Sequence, residues 1–140
     1  MTLLDTNTLI YGFDPAALHH AWAIQLIRAG LKRFELAINP VIFAELCVGD
    51  ALPETLDARL DTLGIVILDL PSAASPRCAQ AYADYLDNRR KTPAPPESKT
   101  PLPDFFIGAH ASLLNLPLAT ADPHRYQTYY PEVKLITPEA

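Results

Sequence analysis

Residues 2–5 read TLLD and residues 14–30 read DPAALHHAWAIQLIRAG, and the succession of these two stretches decides the fold. The first is a short apolar run that ends on a carboxylate, as a buried strand does when it delivers Asp5 at its carboxyl end. The second reads as a helix. Asp14 caps it, Pro15 occupies its first turn, Leu18, Trp22, Leu26 and Ala29 share one face, and Gly30 ends it.

Working outward, the same alternation recurs. ELAI at 35–38 is a second strand candidate, and Asn39 with Pro40 opens a helix that stops near Gly49. Pro53 begins another helix with Leu56, Leu60 and Leu63 on one side and Gly64 as terminator, followed by the strand IVIL at 65–68. Ser75 and Pro76 start a helix carrying Cys78, Tyr82, Tyr85 and Leu86 at helical spacing. Residues 93–103, PAPPESKTPLP, hold five of the chain's 14 prolines and predict a stiff extended loop. DFFIGAHASLLN at 104–115 reads as an apolar helix, PLAT at 117–120 as a short strand, Asp122 and Pro123 as a cap and first turn, and VKLI at 133–136 as a last strand. Strands alternating with helices predict an α/β domain with a mainly parallel sheet covered on both faces. A site is then expected beyond the carboxyl ends of the strands.

Length and composition set the frame for that reading. At 140 residues the chain fits a single domain, 1–140, and 49% hydrophobic with 19% charged residues excludes wholesale disorder. Every apolar run is interrupted well short of the roughly 18 residues that span a bilayer. Asp5 arrives too early for a signal peptide, which predicts a cytoplasmic protein with no membrane partner. Sixteen acidic against 11 basic residues give a net charge of −5, which excludes general adhesion to nucleic acid. Confined basic faces survive that argument: Arg28, Lys32 and Arg33 close one helical segment, and Arg89, Arg90 and Lys91 close another. As isolated features these are solvated helix ends suited to the helix dipole.

Most of the acids lie in polar neighbourhoods and need no special account. Four sit in apolar frames: Asp5, Glu45, Asp104 and Asp122. Asp5, Asp104 and Asp122 each fall where a strand or loop gives way to a helix, and taken singly each reads as a cap. Glu45 does not. It lies inside its helix among Val41, Ile42, Leu46 and Val48, with no basic residue within a turn, so burial would leave its charge uncompensated. The economical solution is that the four acids meet and are jointly neutralised by a divalent cation. Hard oxygen ligands suit Mg²⁺ or Mn²⁺, and a metal-held water suits phosphodiester hydrolysis. Thr6 and Asn7, next to Asp5, and Thr120, near Asp122, are candidate supporting polar groups. His124 and Arg125 are candidate RNA contacts, and Tyr126, Tyr129 and Tyr130 read first as core and second as base-stacking rings.

Three segments, LLDTNTLIY, INPVIFAELCVG and PLPDFFIGAHASLLNLPLATADPHRY, in that order, resemble a PIN-domain ribonuclease, specifically a VapC-type toxin of a toxin–antitoxin pair. The resemblance runs from residue 2 to about 137. It implies a three-layer α/β/α sandwich, Mg²⁺- or Mn²⁺-dependent endoribonuclease activity, a cognate antitoxin partner and a homodimer. The family's acidic positions fall on Asp5, Glu45, Asp104 and Asp122, and its polar positions after the first Asp on Thr6 and Asn7. Ala121 departs from the pattern, standing where relatives often carry Asn or Arg. Two other readings compete: a catalytically silent metal-binding interaction module whose acids hold a structural ion, and a receiver-type phospho-acceptor domain on the same broad architecture, built on Asp69 and Lys134.

Overall fold

The computed structural model describes residues 1–31, 33–92 and 101–138. Five strands, β1 (Thr2–Leu4), β2 (Leu36–Ile38), β3 (Ile65–Ile67), β4 (Leu118–Ala119) and β5 (Leu135–Ile136), form one sheet in the order β3-β2-β1-β4-β5. Every pairing is parallel, with Leu3 beside both Ala37 and Leu118. Successive connections step outward from β1 to β3, then jump back across β1 to β4. The reversal places a crevice at the carboxyl ends of β1 and β4, where parallel α/β sheets hold their ligands.

Helices supply the connections, as parallel pairing requires. They are α1 (Thr6–Phe13), α2 (His20–Ala29), α3 (Pro40–Val48), α4 (Leu56–Thr62), α5 (Ser75–Lys91), α6 (Leu102–Leu114) and α7 (His124–Tyr129). The β1 and β2 residues Leu3, Leu4, Ala37 and Ile38 are fully buried, as expected of strands covered on both faces. Among the described residues no helix is long and apolar enough to cross a membrane.

The single helix expected over Asp14–Gly30 is two elements. Asp5 caps α1 at once, and α1 buries Thr6, Thr8, Leu9 and Gly12. Asp14 ends this helix instead of starting the next one: it precedes Pro15, which disfavours helical backbone at the residue before it, and it adopts an extended conformation. Leu18, placed on the buried face by its spacing, is 90% exposed, and the true face of α2 is Ala23 and Ile27. Ile27 packs where a Cβ on Gly12 would sit, at 2.6 Å, so the glycine permits the close approach of α1 and α2.

Other boundaries shift less. The turn at Pro53–Thr55 is 3-10 before α4 proper begins, and α5 starts at Ser75 and runs through Lys91. Helix α6 begins two residues early, so Asp104 lies in its first turn and not at its cap. Pro123, not Asp122, occupies the cap position of α7. The strands at 117–120 and 133–136 are shorter than expected, pairing only at Leu118–Ala119 and Leu135–Ile136.

Candidate active site

Asp5 emerges from the end of β1 and is 6% exposed. One carboxylate oxygen, Oδ1, accepts from the Thr6 amide at 2.8 Å, the capping bond that starts α1. The other, Oδ2, accepts from the Thr120 hydroxyl at 2.9 Å, across the β1–β4 crevice. Thr120 is fully buried and its oxygen also accepts from the Asp122 amide at 3.1 Å. Capping and site-building are therefore one arrangement at Asp5.

Asp5, Glu45 and Asp104 line the same open cleft of about 430 Å³, together with Thr6, Asn7 and Arg125. Glu45 reaches it from the middle of α3, its Oε1 accepting from the Thr6 hydroxyl at 2.7 Å. Its expected burial is not what the structure shows. Helix α3 buries Ile42 and Leu46, while Val48 is 88% exposed and Glu45 itself stands at the exposed cleft mouth. Asp122 is exposed beside the cleft and not among its lining residues, but its charge is felt by Asp104.

The electrostatics record this convergence. Burial raises the Asp5 carboxyl from 3.8 to about 7, and the charges of Asp104 and Glu45 add to the rise against the hydrogen bonds from Thr120 and Thr6. Burial likewise raises Asp104, with Glu45 and Asp122 adding to it. Opposing them is Arg125, whose Nη1 donates to Asp104 Oδ2 at 2.7 Å while its guanidinium lies over the Tyr85 and Phe105 rings at 5.5 and 5.9 Å. Among the described lining residues one guanidinium faces three carboxylates, with Asp122 beside them, leaving a surplus of negative charge on hard oxygen donors. That surplus fits a divalent cation held through one or two carboxylates with most of its waters retained. A closed cage is not preformed: among the described residues no three His, Cys, Asp or Glu side chains are already placed to surround an ion.

The profile of the PIN domain matches residues 2–129. The chain belongs to the PIN-domain family. This PIN domain is similar in fold to a chain of FitAcB from Neisseria gonorrhoeae, with TM-score 0.69 and 23% identity over 97% of this chain and 96% of that one. DNA-bound VapBC from Salmonella typhimurium gives TM-score 0.64 at 22% identity, covering 98% of each chain. VapBC2 from Rickettsia felis, bound to a DNA fragment from its promoter, gives 0.60 at 19%, covering 99% and 98%. No curated protein sequence matches the chain.

Several residues singled out in the sequence take places of their own in the PIN domain. Arg77, at the start of α5, bonds Glu132, which also accepts from Ser112 near the end of α6; Tyr85, further along α5, packs on Phe105 near the start of α6. The two helices are thus antiparallel, and Arg89, Arg90 and Lys91 end up at the cleft end of the fold. Arg28 and Arg33 do not. Gly30 packs against Leu36, the first residue of β2, so that end of α2 lies at the amino ends of the strands. Lys32 and residues 93–100 of the proline-rich stretch lie outside the described residues. Tyr126 and Tyr130 are buried and unavailable for stacking on bases, and Tyr129 packs among Tyr85 and Phe105. His124 is exposed at the start of α7. Asp69 follows the carboxyl end of β3 whereas Lys134 precedes β5, so the parallel sheet puts them at opposite ends and the phospho-acceptor pairing is lost.

The ion pair between Arg125 and Asp104 is the feature that spacing alone did not supply. Its signal lies in α7: Tyr126 and Tyr130 are buried one turn apart, which turns the preceding Arg125 toward α6. The cleft walls Ile10, Val48, Pro101 and Pro103 were also not foreseen as site residues.

Proposed function

We propose that this PIN domain is a Mg²⁺- or Mn²⁺-dependent endoribonuclease and the toxin of a toxin–antitoxin pair. The observation that carries the reading is the convergence of Asp5, Glu45 and Asp104 on one cleft at the sheet's switch point, with the charge of Asp122 close behind. Asp5, Asp104, Glu45 and Asp122 are the residues to hold the cation. When bound, it supplies an activated water and stabilises negative charge on a phosphoryl oxygen.

The chain's own residues do the rest. Thr6 and Thr120 fix both oxygens of Asp5, Thr6 also fixes Glu45, and Asn7 offers an amide on the cleft wall to a phosphate or water. Arg125, a cation among the described lining residues, stands where it can meet the scissile phosphate. RNA is the substrate class suited to the basic C-terminal end of α5, which offsets the net charge of −5 locally. A toxin–antitoxin complex from Klebsiella pneumoniae contains a chain similar in fold to this one, with TM-score 0.63 and 23% identity over 99% of this chain and 98% of that one, which supports an antitoxin partner. Exposed Ile10, Phe13 and Val48, at and beside the cleft, offer that partner apolar surface. A homodimer and a cytoplasmic location complete the reading.

The test is to induce the protein briefly in cells and sequence the cut ends of total RNA, comparing wild type with Asp5→Asn. New ends in the wild type alone, lost from the purified reaction on adding EDTA, support the proposal. Equal cleavage by Asp5→Asn, or cleavage unaffected by EDTA, would refute it.

A further inference from the structure

Asn39 follows β2 directly and caps α3, its Oδ1 accepting from the Ile42 amide at 3.0 Å. A backbone amide only donates, so that bond fixes which end of the Asn39 side chain is oxygen and which is nitrogen. The nitrogen, Nδ2, lies 3.1 Å from Nδ1 of His110 on α6, and both side chains are fully buried. Because Nδ2 also only donates, Nδ1 is the acceptor, the ring is neutral and its proton sits on Nε2. Burial holds the His110 pKa down, in keeping with a neutral ring. The proton on Nε2 meets no hydrogen-bond partner among the described residues.

A buried N–H without an acceptor is costly, and an apolar side chain in its place would avoid that cost. What the imidazole supplies against it is the Nδ1 lone pair, which joins the cap of α3 to α6. Such a directional bond sets how two helices lie together more closely than apolar packing alone. Helix α3 carries Glu45 and α6 carries Asp104, and both acids line the one cleft. We propose that His110 is a positioning residue: through Asn39 it fixes how α3 lies against α6, and with it the spacing of Glu45 and Asp104 that the cation needs. The inference rests on the metal-dependent reading above and extends it to a buried polar pair outside the cleft.

His110→Leu and His110→Asn separate this role from core packing. Leucine fills the site but removes the acceptor, whereas asparagine keeps an acceptor near the place of Nδ1 and leaves unfilled volume beyond it. Mn²⁺ binding is measured by calorimetry on wild type and both variants, with metal-free melting curves of each. Positioning predicts an affinity that follows the acceptor: roughly 10-fold weaker for His110→Leu, the lower range for loss of a group that orients metal ligands, and close to wild type for His110→Asn despite a lower Tm. Wild-type affinity in His110→Leu, or binding by His110→Asn no tighter than by His110→Leu, would overturn the inference while leaving the metal reading intact. So would a His110→Leu variant that no longer melts cooperatively, since the pair would then be a requirement of the fold. Imidazole nitrogen shifts of wild type labelled with nitrogen-15 histidine check the bond without any variant: a proton on Nε2 alone is expected, and a proton on Nδ1 would overturn the inference. Failure of the wild type itself to bind Mn²⁺ would overturn the underlying reading, and the inference with it.

Discussion

Arg125 Nη1 lies 2.7 Å from Asp104 Oδ2, so a carboxylate aimed into the cleft already has a cation of its own. The pair is about one-third exposed on the Asp104 side and braced by the Tyr85 and Phe105 rings. A divalent ion at Asp104 has to compete with this guanidinium. Arg125→Ala is expected to tighten Mn²⁺ binding several-fold while lowering the metal-free stability by about 1 kcal/mol, as for a partly exposed ion pair. Melting curves with and without Mn²⁺ read both quantities. Weaker Mn²⁺ binding in the variant would show that the guanidinium assists the acids instead of competing for them.

The pH dependence follows from Asp5. Unfolded, it ionises near its ordinary 3.8; folded and metal-free, burial first and then the Asp104 charge move it to about 7. The folded chain holds this proton more tightly, so its contribution to stability is full below 3.8 and lost as pH rises through 7. Metal-free Asp5→Asn should therefore melt higher than wild type at pH 8, with the gap narrowing toward pH 5. Thermal melts in EDTA across pH 5–8 measure this. An Asp5→Asn Tm at or below wild type at pH 8 would contradict it. Cation binding should conversely strengthen with pH, because it competes with the same proton.

Thr120, just after β4, makes the side-chain bond to the Asp5 carboxylate, and the role of its hydroxyl can be separated from that of its volume. Thr120→Val keeps the shape but leaves Asp5 Oδ2 and the Asp122 amide without their partner. Loss of about 1–3 kcal/mol is expected from the unsatisfied buried groups, with Mn²⁺ affinity down roughly 10-fold. Thr120→Ser retains the hydroxyl and should recover most of the metal affinity. Equal Mn²⁺ titrations for the Val and Ser variants would rule out orientation of Asp5 by this hydroxyl.

These outcomes bear on what the sequence disclosed. The parallel sheet was legible because each short apolar run is followed by a segment of helical period, and Asp5 because its strand is only three residues long. The α1–α2 break was not: Leu18 and Trp22 fit a helical face by spacing, but Asp14 and Pro15 enforce a turn whose reason is the packing of Gly12 on Ile27. Glu45 was picked out by an argument from burial that the structure does not support, since α3 shows the cleft an edge and not a buried face. Its place beside Asp5 comes instead from a hydrogen bond to Thr6, 39 residues away, which no local pattern encodes. Arg125 was visible as a polar residue, but its partner Asp104 is set only by how α7 lies on α6.

The two basic helix ends looked equivalent in sequence, and the fold separates them. Arg89, Arg90 and Lys91 close α5 at the end that carries Asp104, whereas Arg28 and Arg33 lie toward the amino ends of the strands. Each phosphate contact to single-stranded RNA contributes about −0.7 to the slope of log K against log salt. Neutralising Arg89, Arg90 and Lys91 together as glutamines should flatten that slope by about 2 in binding assays run in EDTA in an Asp104→Asn background, chosen to prevent cleavage. Neutralising Arg28 and Arg33 in the same background should leave it unchanged. The contact of Arg90 with Asp87, at 3.4 Å between exposed side chains, is too weak to alter the comparison. Should the α2 pair flatten the slope and the α5 group not, the RNA would have to enter from the amino ends of the strands, and the cleft around Asp5 could not be where it is cut.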